Sequence, residues 1–202
     1  MALLKGSASC VRFRVDGELP SSPLEFIAQK VSSYSFRDID ESFDEFSIGW
    51  VSIVNMFDST FSYSSHLCGD FVILTLRIDE RKVSSAVLKK MTQKEEERIK
   101  KEKQIPRIGR AMKVEIRERI KAELMRKSVP IPAVYDLCWN LSDSTLLFFS
   151  TNKKAQAVLE DYFKECFGLR LQQQIPYNTA EQLLSGSELS EQLARITPTL
   201  FI

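Results

Sequence analysis

The sequence predicts an α+β fold, a mixed or antiparallel sheet with packed helices and a projecting, charged helical hairpin. Three observations lead there. Strand-like and helix-like segments interleave without the βαβα rhythm of a doubly wound sheet. Residues 81–127 carry seventeen Lys or Arg against seven Glu, a net of +10 at helical spacing, while the rest of the chain holds eleven basic and twenty acidic residues. That block ends at Pro130 and Pro132, where a helix cannot continue.

Val11, Phe13 and Val15 alternate with Arg12, Arg14 and Asp16, the period of a strand with one buried face. Ser22-Pro23-Leu24-Glu25 reads as a capping box with proline at the first helical position. Leu24, Ile27, Ala28 and Val31 then share one face of a short helix. From 34 to 70 the aromatics Tyr34, Phe36, Phe43, Phe46, Trp50, Phe57, Phe61 and Tyr63 mix with Ser and Asp in no lasting period, so short strands and loops are expected. Phe71 to Leu76 is a continuous apolar run, as in a central strand covered on both faces.

Inside the basic block Val83, Val87 and Met91 mark an apolar stripe, but Thr92 to Lys103 is polar nearly all round apart from Ile99. A helix leaving the body and projecting into water fits that pattern. Ile105-Pro106 and Gly109 supply a break, after which Ile108, Met112, Ile116, Ile120 and Leu124 recur every four residues. The two helices form an antiparallel hairpin over about 83–128.

Val134 to Trp139 and Leu146 to Phe149 read as a strand hairpin around the turn-rich Asn140 to Thr145. Ala155, Val158, Leu159, Tyr162, Phe163, Cys166 and Phe167 make a strong helical stripe, capped by Thr151 or Asn152 and ended by Gly168, that should cover one face of the sheet. A weak helix from Ala180 to Leu184 precedes Gly186 and Ser187, and Thr197 to Ile202 looks unfinished. The expected organisation is a single domain over 1–202 with the hairpin inserted and a weakly structured tail at 176–202.

Composition bounds the function. At 202 residues, 44% hydrophobic with thirteen Phe, the chain can build one core, and wholesale disorder is not expected. Four scattered cysteines without C-x-x-C and a single histidine argue against a metal site. Glycine-rich phosphate loops are absent, so no nucleotide cofactor is expected. Neither a signal peptide nor an apolar stretch of ~20 residues is present, which points to a cytoplasmic protein with reduced thiols and no membrane partner.

The charge split points to a polyanion. On the second hairpin helix Arg110, Lys113, Arg117 and Lys121 fall within about 80° of arc, a ridge able to meet phosphates without reading bases. Arg107, Lys89 and Lys90 join it as candidate DNA contacts, with Arg81 and Lys82 at the hairpin root facing either DNA or solvent. The bland alternative is a solvated helix face. On the first helix Lys89, Lys90, Lys94, Lys100, Lys101 and Lys103 interleave with Glu95, Glu96, Glu97 and Glu102, where i,i+4 pairing would consume them. Asp38, Asp40, Glu41, Asp44 and Glu45 read as a solvated acidic loop rather than a two-metal nuclease site, since no strand pattern fixes them. His66 near Cys68 lacks a third member for a nucleophilic triad, and Trp50 and Trp139 read as core.

Gly49-Trp50-Val51, an apolar strand, a Lys/Glu-rich helical hairpin, a Trp-bearing strand hairpin and a helix opening Asn152-Lys153-Lys154-Ala155 follow in an order that resembles the RdgC family of bacterial recombination-associated proteins. The layout covers roughly residues 9–175. The resemblance implies a non-catalytic nucleoid protein that binds duplex DNA with little sequence preference, as a ring-shaped homodimer, and limits recombinase access. Two departures stand out. Val51 runs into Ser52-Ile53 rather than prolines, and the C-terminal dimerisation region is expected to be missing. A weak homodimer is therefore expected instead of a closed ring, with hairpin ends pairing through Ile99, Ile105 and Ile108. The expected function is non-enzymatic, sequence-tolerant duplex DNA binding linked to control of recombination or replication. The alternative is a protein-interaction or self-association module built on the hairpin.

Overall fold

The computed structural model of the protein describes residues 3, 6, 9–61, 66–185, 189–193 and 195–196. Its elements are β1 (Val11–Asp16), α1 (Pro23–Ser33), β2 (Phe46–Val51), β3 (Leu67–Cys68), β4 (Phe71–Arg81), α2 (Ser85–Lys103), α3 (Arg110–Lys127), β5 (Pro130–Asn140), β6 (Thr145–Phe148), α4 (Lys153–Phe167), β7 (Arg170–Gln173), α5 (Pro176–Leu184) and α6 (Leu189–Leu193). The strands hydrogen-bond in the order β2-β4-β5-β6-β1-β7, with β3 on β4. The ladders of β2 with β4, β5 with β6, and β1 with both β6 and β7 are antiparallel, which gives the α+β class expected. Tyr63, Gly186, Ser187 and the Thr197 to Ile202 ending lie outside the described residues. The chain divides into two compact units, one of residues 1–31, 62–74 and 135–202, the other of residues 32–61 and 75–134.

In the first unit the alternation of β1 sends Phe13 and Val15 inward and leaves Arg12, Arg14 and Asp16 exposed. Phe13 faces Leu146 across the ladder, and the β5–β6 hairpin sets Leu137 opposite Phe148 and Trp139 opposite Leu146. Helix α4 covers this face, its Phe163 and Phe167 rings meeting Trp139 edge-on at 5.2 and 5.6 Å. Of the two possible caps the helix uses Asn152, whose side chain accepts from the Lys154 and Ala155 N–H groups, and it stops at Gly168 with φ 72°. In α1 Ile27 and Val31 are buried, but Leu24 in the first turn is exposed. Strand β7 had no apolar signal: Arg-Leu-Gln-Gln is a strand because β1 offers it a free edge, pairing Val15 with Leu171.

In the second unit β2 pairs with β4 from Phe46↔Glu80 to Val51↔Thr75. Residues 34–36 lie against β2. The Trp50 N–H donates to the Tyr34 carbonyl at 3.0 Å and the Phe36 N–H donates to the Trp50 carbonyl at 2.9 Å. Gly49 makes that approach possible, since a Cβ there would stand 2.2 Å from the Phe36 Cα.

The apolar run of β4 was expected to end at Leu76; the strand continues to Arg81, and its extension is charged yet buried. Arg77, Asp79 and Arg81 share one face and are 4%, 1% and 5% exposed. Buried charges need full sets of partners, and both arginines have them. Arg77 donates to the two Asp79 oxygens at 2.8 and 2.6 Å and to the Met56 carbonyl at 3.2 Å, its guanidinium 4.1 Å from the Phe36 ring centroid and 5.4 Å from that of Phe57. Arg81 donates to the carbonyls of Asp44 (3.0 Å), Ile39 (2.8 Å), Ser42 (3.0 Å), Asp40 (3.4 Å) and Ser128. The acidic loop is thus wrapped around an arginine, and the same arginine holds the end of α3.

Candidate nucleic-acid interface

Helices α2 and α3 form the hairpin the sequence predicts. Ile108, Ile116 and Ile120 are its buried centre, with Leu88, Met91, Ile99, Ile105, Met112 and Leu124 packed around them. The stripe on α2 is not the expected one. Val87 is 45% exposed, and the face toward α3 runs through Leu88, Met91 and Ile99. Between Met91 and Ile99 that face is occupied by Glu95 and Glu96, whose side chains are only 15% and 18% exposed. Their carboxylates reach α3: Glu95 takes Arg119 at 2.5 Å as well as Arg98 at 2.8 Å, and Glu96 meets Lys113 at 3.7 Å. Over residues 92–103 only the side of α2 turned to α3 is covered, by Ile99 and the ion pairs of Glu95 and Glu96, while Gln93, Lys94, Glu97, Arg98 and residues 101–103 stay exposed as the polar pattern predicts.

This packing also bears on the expected pairing of hairpin ends. Ile108 is 2% exposed, and Ile99 and Ile105 are packed into the hairpin's own core. Ile108 is thus hidden, whereas Ile99 and Ile105 keep part of their surface exposed.

The predicted DNA contacts separate into three sets. Arg81 is removed from the set: its guanidinium is buried and satisfied by carbonyls, so it faces neither DNA nor solvent. Lys82 is exposed and paired with Glu80 at 2.6 Å, and Lys113 is half-exposed and partly held by Glu96. The remaining six, Lys89, Lys90, Arg107, Arg110, Arg117 and Lys121, are exposed and have no carboxylate within 4.0 Å among the described residues. Among the described residues the lysines of α2 make none of the expected i,i+4 pairs: Arg98 takes Glu95 and Glu102, and Glu96 meets Lys113.

Four of the candidates come together. Lys89 from α2 and Arg110, Lys113 and Arg117 from α3 line a groove of about 490 Å³ whose apolar surface comes from Leu88 and Val114. Lys121 continues the row one turn beyond Arg117, Arg107 precedes α3, and Lys90 lies outside the groove. Val114 was missed in the sequence because it falls outside the every-fourth-residue apolar series; its 57% exposure shows that it serves the groove rather than the core.

The sequence model of a family described as "Putative exonuclease, RdgC" matches residues 9–191. The chain belongs to the RdgC family. A search of curated proteins gives no match. Membership in the RdgC family fits a recombination-related role, and the family-like Gly49-Trp50-Val51 has a physical basis in the close crossing of residues 34–36 over β2.

The other candidates of this RdgC-family chain fall elsewhere. Trp50 and Trp139 are 0% and 1% exposed, as core residues. His66 is buried, and burial pushes its imidazole below the usual histidine range. Among the described residues no three His, Cys, Asp or Glu side chains are grouped to hold a metal ion, and no helix is long and apolar enough to cross a membrane.

Proposed function

We propose that this RdgC-family chain binds duplex DNA with little sequence preference, without catalysing a reaction, and acts on recombination by occupying DNA that a recombinase would use. Its place of action is the cytoplasmic nucleoid. The observation that carries the reading is the set of unpaired cations: Lys89, Arg110, Arg117 and Lys121 have no carboxylate within 4.0 Å among the described residues, while Glu95, Glu102 and Glu123 are taken by Arg98, Arg119 and Lys127. Such a row exchanges condensed counterions for protein charge and reads no base edges.

The test is a salt titration of duplex binding with and without Mg²⁺. Contact with about six phosphates lowers affinity ~10³-fold or more between 50 and 200 mM salt, equally for unrelated sequences, and the duplex stays intact in Mg²⁺. Flat salt dependence sinks the DNA reading, and Mg²⁺-dependent shortening of the duplex sinks the non-catalytic one. A protein-interaction role for the hairpin is favoured by one feature, the apolar floor of its groove, which phosphates do not require.

A further inference from the structure

The groove between α2 and α3 is built like the seat of a third helix. On α2 its lining recurs as Ser85, Leu88, Thr92 and Glu96, and on α3 as Arg110, Val114 and Arg117, spacings of three or four residues that keep each set on one face of its helix. From Ser85 to Glu96 the groove follows α2 for ~16 Å, about three helical turns. Its floor is apolar. Leu88 is half-buried and Val114 57% exposed, and beside them the Thr92 hydroxyl is buried without a hydrogen-bond partner among the described residues. Its rims are cationic, since Lys89 on α2 and Arg110 and Arg117 on α3 have no carboxylate within 4.0 Å among the described residues. DNA backbone brings charge to these rims but no apolar group to the floor, and an acidic segment without helical order brings no apolar stripe in register with it.

We infer that the groove receives an acidic amphipathic helix of a different protein. Apolar side chains of that helix, at i, i+3 or i+4, and i+7, lie over Leu88 and Val114, and Asp or Glu residues flanking the stripe meet Lys89, Arg110 and Arg117. The three helices then pack as a small bundle whose rims are paired by charge. The inference deepens the protein-interaction reading of the hairpin and rests on it. Because the helix covers cations assigned above to phosphates, partner and duplex exclude each other; this clause alone rests on the DNA reading.

The probe is a labelled synthetic peptide of about fourteen residues, four helical turns, with leucines on one face and glutamates flanking them. Its control is an isomer of the same composition in which leucines and glutamates are interspersed, so that the charge is kept and the stripe is lost. Fluorescence anisotropy at low salt follows both against the full chain. The amphipathic peptide binds at least about tenfold more tightly than the isomer, the worth of burying one aliphatic side chain. Val114→Ser removes that advantage and leaves the isomer as it was, whereas Lys89→Glu with Arg117→Glu weakens both peptides. All three positions are exposed, and melting checks that the variants fold. Equal affinity of the two peptides, or an amphipathic peptide indifferent to Val114→Ser, overturns the inference and leaves the hairpin a binder of acidic protein segments; binding of neither peptide overturns that reading as well. Sedimentation in parallel covers the remaining occupant: a peptide that converts dimers of the chain to monomers would assign the groove to a second copy and overturn the proposal. Failure of the chain to bind duplex DNA overturns the DNA reading alone, since the peptide titration contains no DNA.

Discussion

Arg119 of α3 crosses the hairpin to the Glu95 carboxylate of α2 at 2.5 Å, sharing it with Arg98 from the same helix at 2.8 Å. The hydrogen bond from Arg98, with the charges of Arg98 and Arg119 added, holds the Glu95 carboxyl below the usual carboxylate range. A lowered folded value means that the unfolded chain binds the proton more readily. The stabilisation is therefore complete above the unfolded value of about 4.3 and is lost as pH falls through the folded one. Glu95→Gln is expected to lower the melting temperature at neutral pH and to flatten the acid limb of the stability curve. Parallel melts of parent and variant from neutral to acid pH check this; an unchanged acid limb would remove Glu95 from the account.

Arg81 ties the acidic loop to the end of α3. Arg81→Ala leaves the carbonyls of Ile39, Ser42, Asp44 and Ser128 without their shared donor. A loss of about 3 kcal/mol is expected, from charge-assisted hydrogen bonds of ~1.5–3 kcal/mol each, only part of whose strength is net. Arg81→Lys recovers little, because an ammonium cannot reproduce the guanidinium fork. Urea unfolding measures both variants, and a lysine variant as stable as the parent would contradict the shared-donor role.

Gly49→Ala places a methyl group 2.2 Å from the Phe36 Cα, a backbone atom that can move only if residues 34–36 leave β2. The expected cost is about 3 kcal/mol, the upper range for overpacking. Gly109→Ala is the control, since nothing lies within 4 Å of a Cβ there. Equal stability of the two variants would show that the close crossing is not required.

Reversal of Arg110, Arg117 and Lys121 to Glu is expected to abolish most duplex binding, and reversal of Lys100, Lys101 and Lys103 to leave most of it. Both sets lack carboxylate partners among the described residues, and all six but the part-buried Lys100 are exposed, so pairing does not distinguish them; the first follows one face of α3 beside the groove and the second lies in the last turn of α2. Exposed charge changes usually cost within ~0.5 kcal/mol each, so melting should be nearly unchanged. Equal loss from both sets would deny the α3 row a special role.

The chain's local periodicities determined most elements. Val11, Phe13 and Val15 specify a half-buried strand, Ile108 to Leu124 specify the inner face of α3, and the stripe from Ala155 to Phe167 specifies α4, because in each case the buried positions are apolar and evenly spaced. The basic row of the candidate site was legible in the same way, as a repeat of charge on one helical face. Tertiary structure alone decided the rest. Arg77, Asp79, Arg81, Glu95 and Glu96 read as surface residues in a linear pattern, yet they are buried or nearly so. What permits this lies far along the chain: carbonyls about forty residues away for Arg81 and basic residues of α3 for Glu95 and Glu96. Strand β7 likewise exists because β1 supplies a ladder edge, and not because Arg-Leu-Gln-Gln favours one. Periodicity records where apolar side chains must hide, whereas a charge is buried only when distant partners replace its water, and those partners are assembled only by the fold.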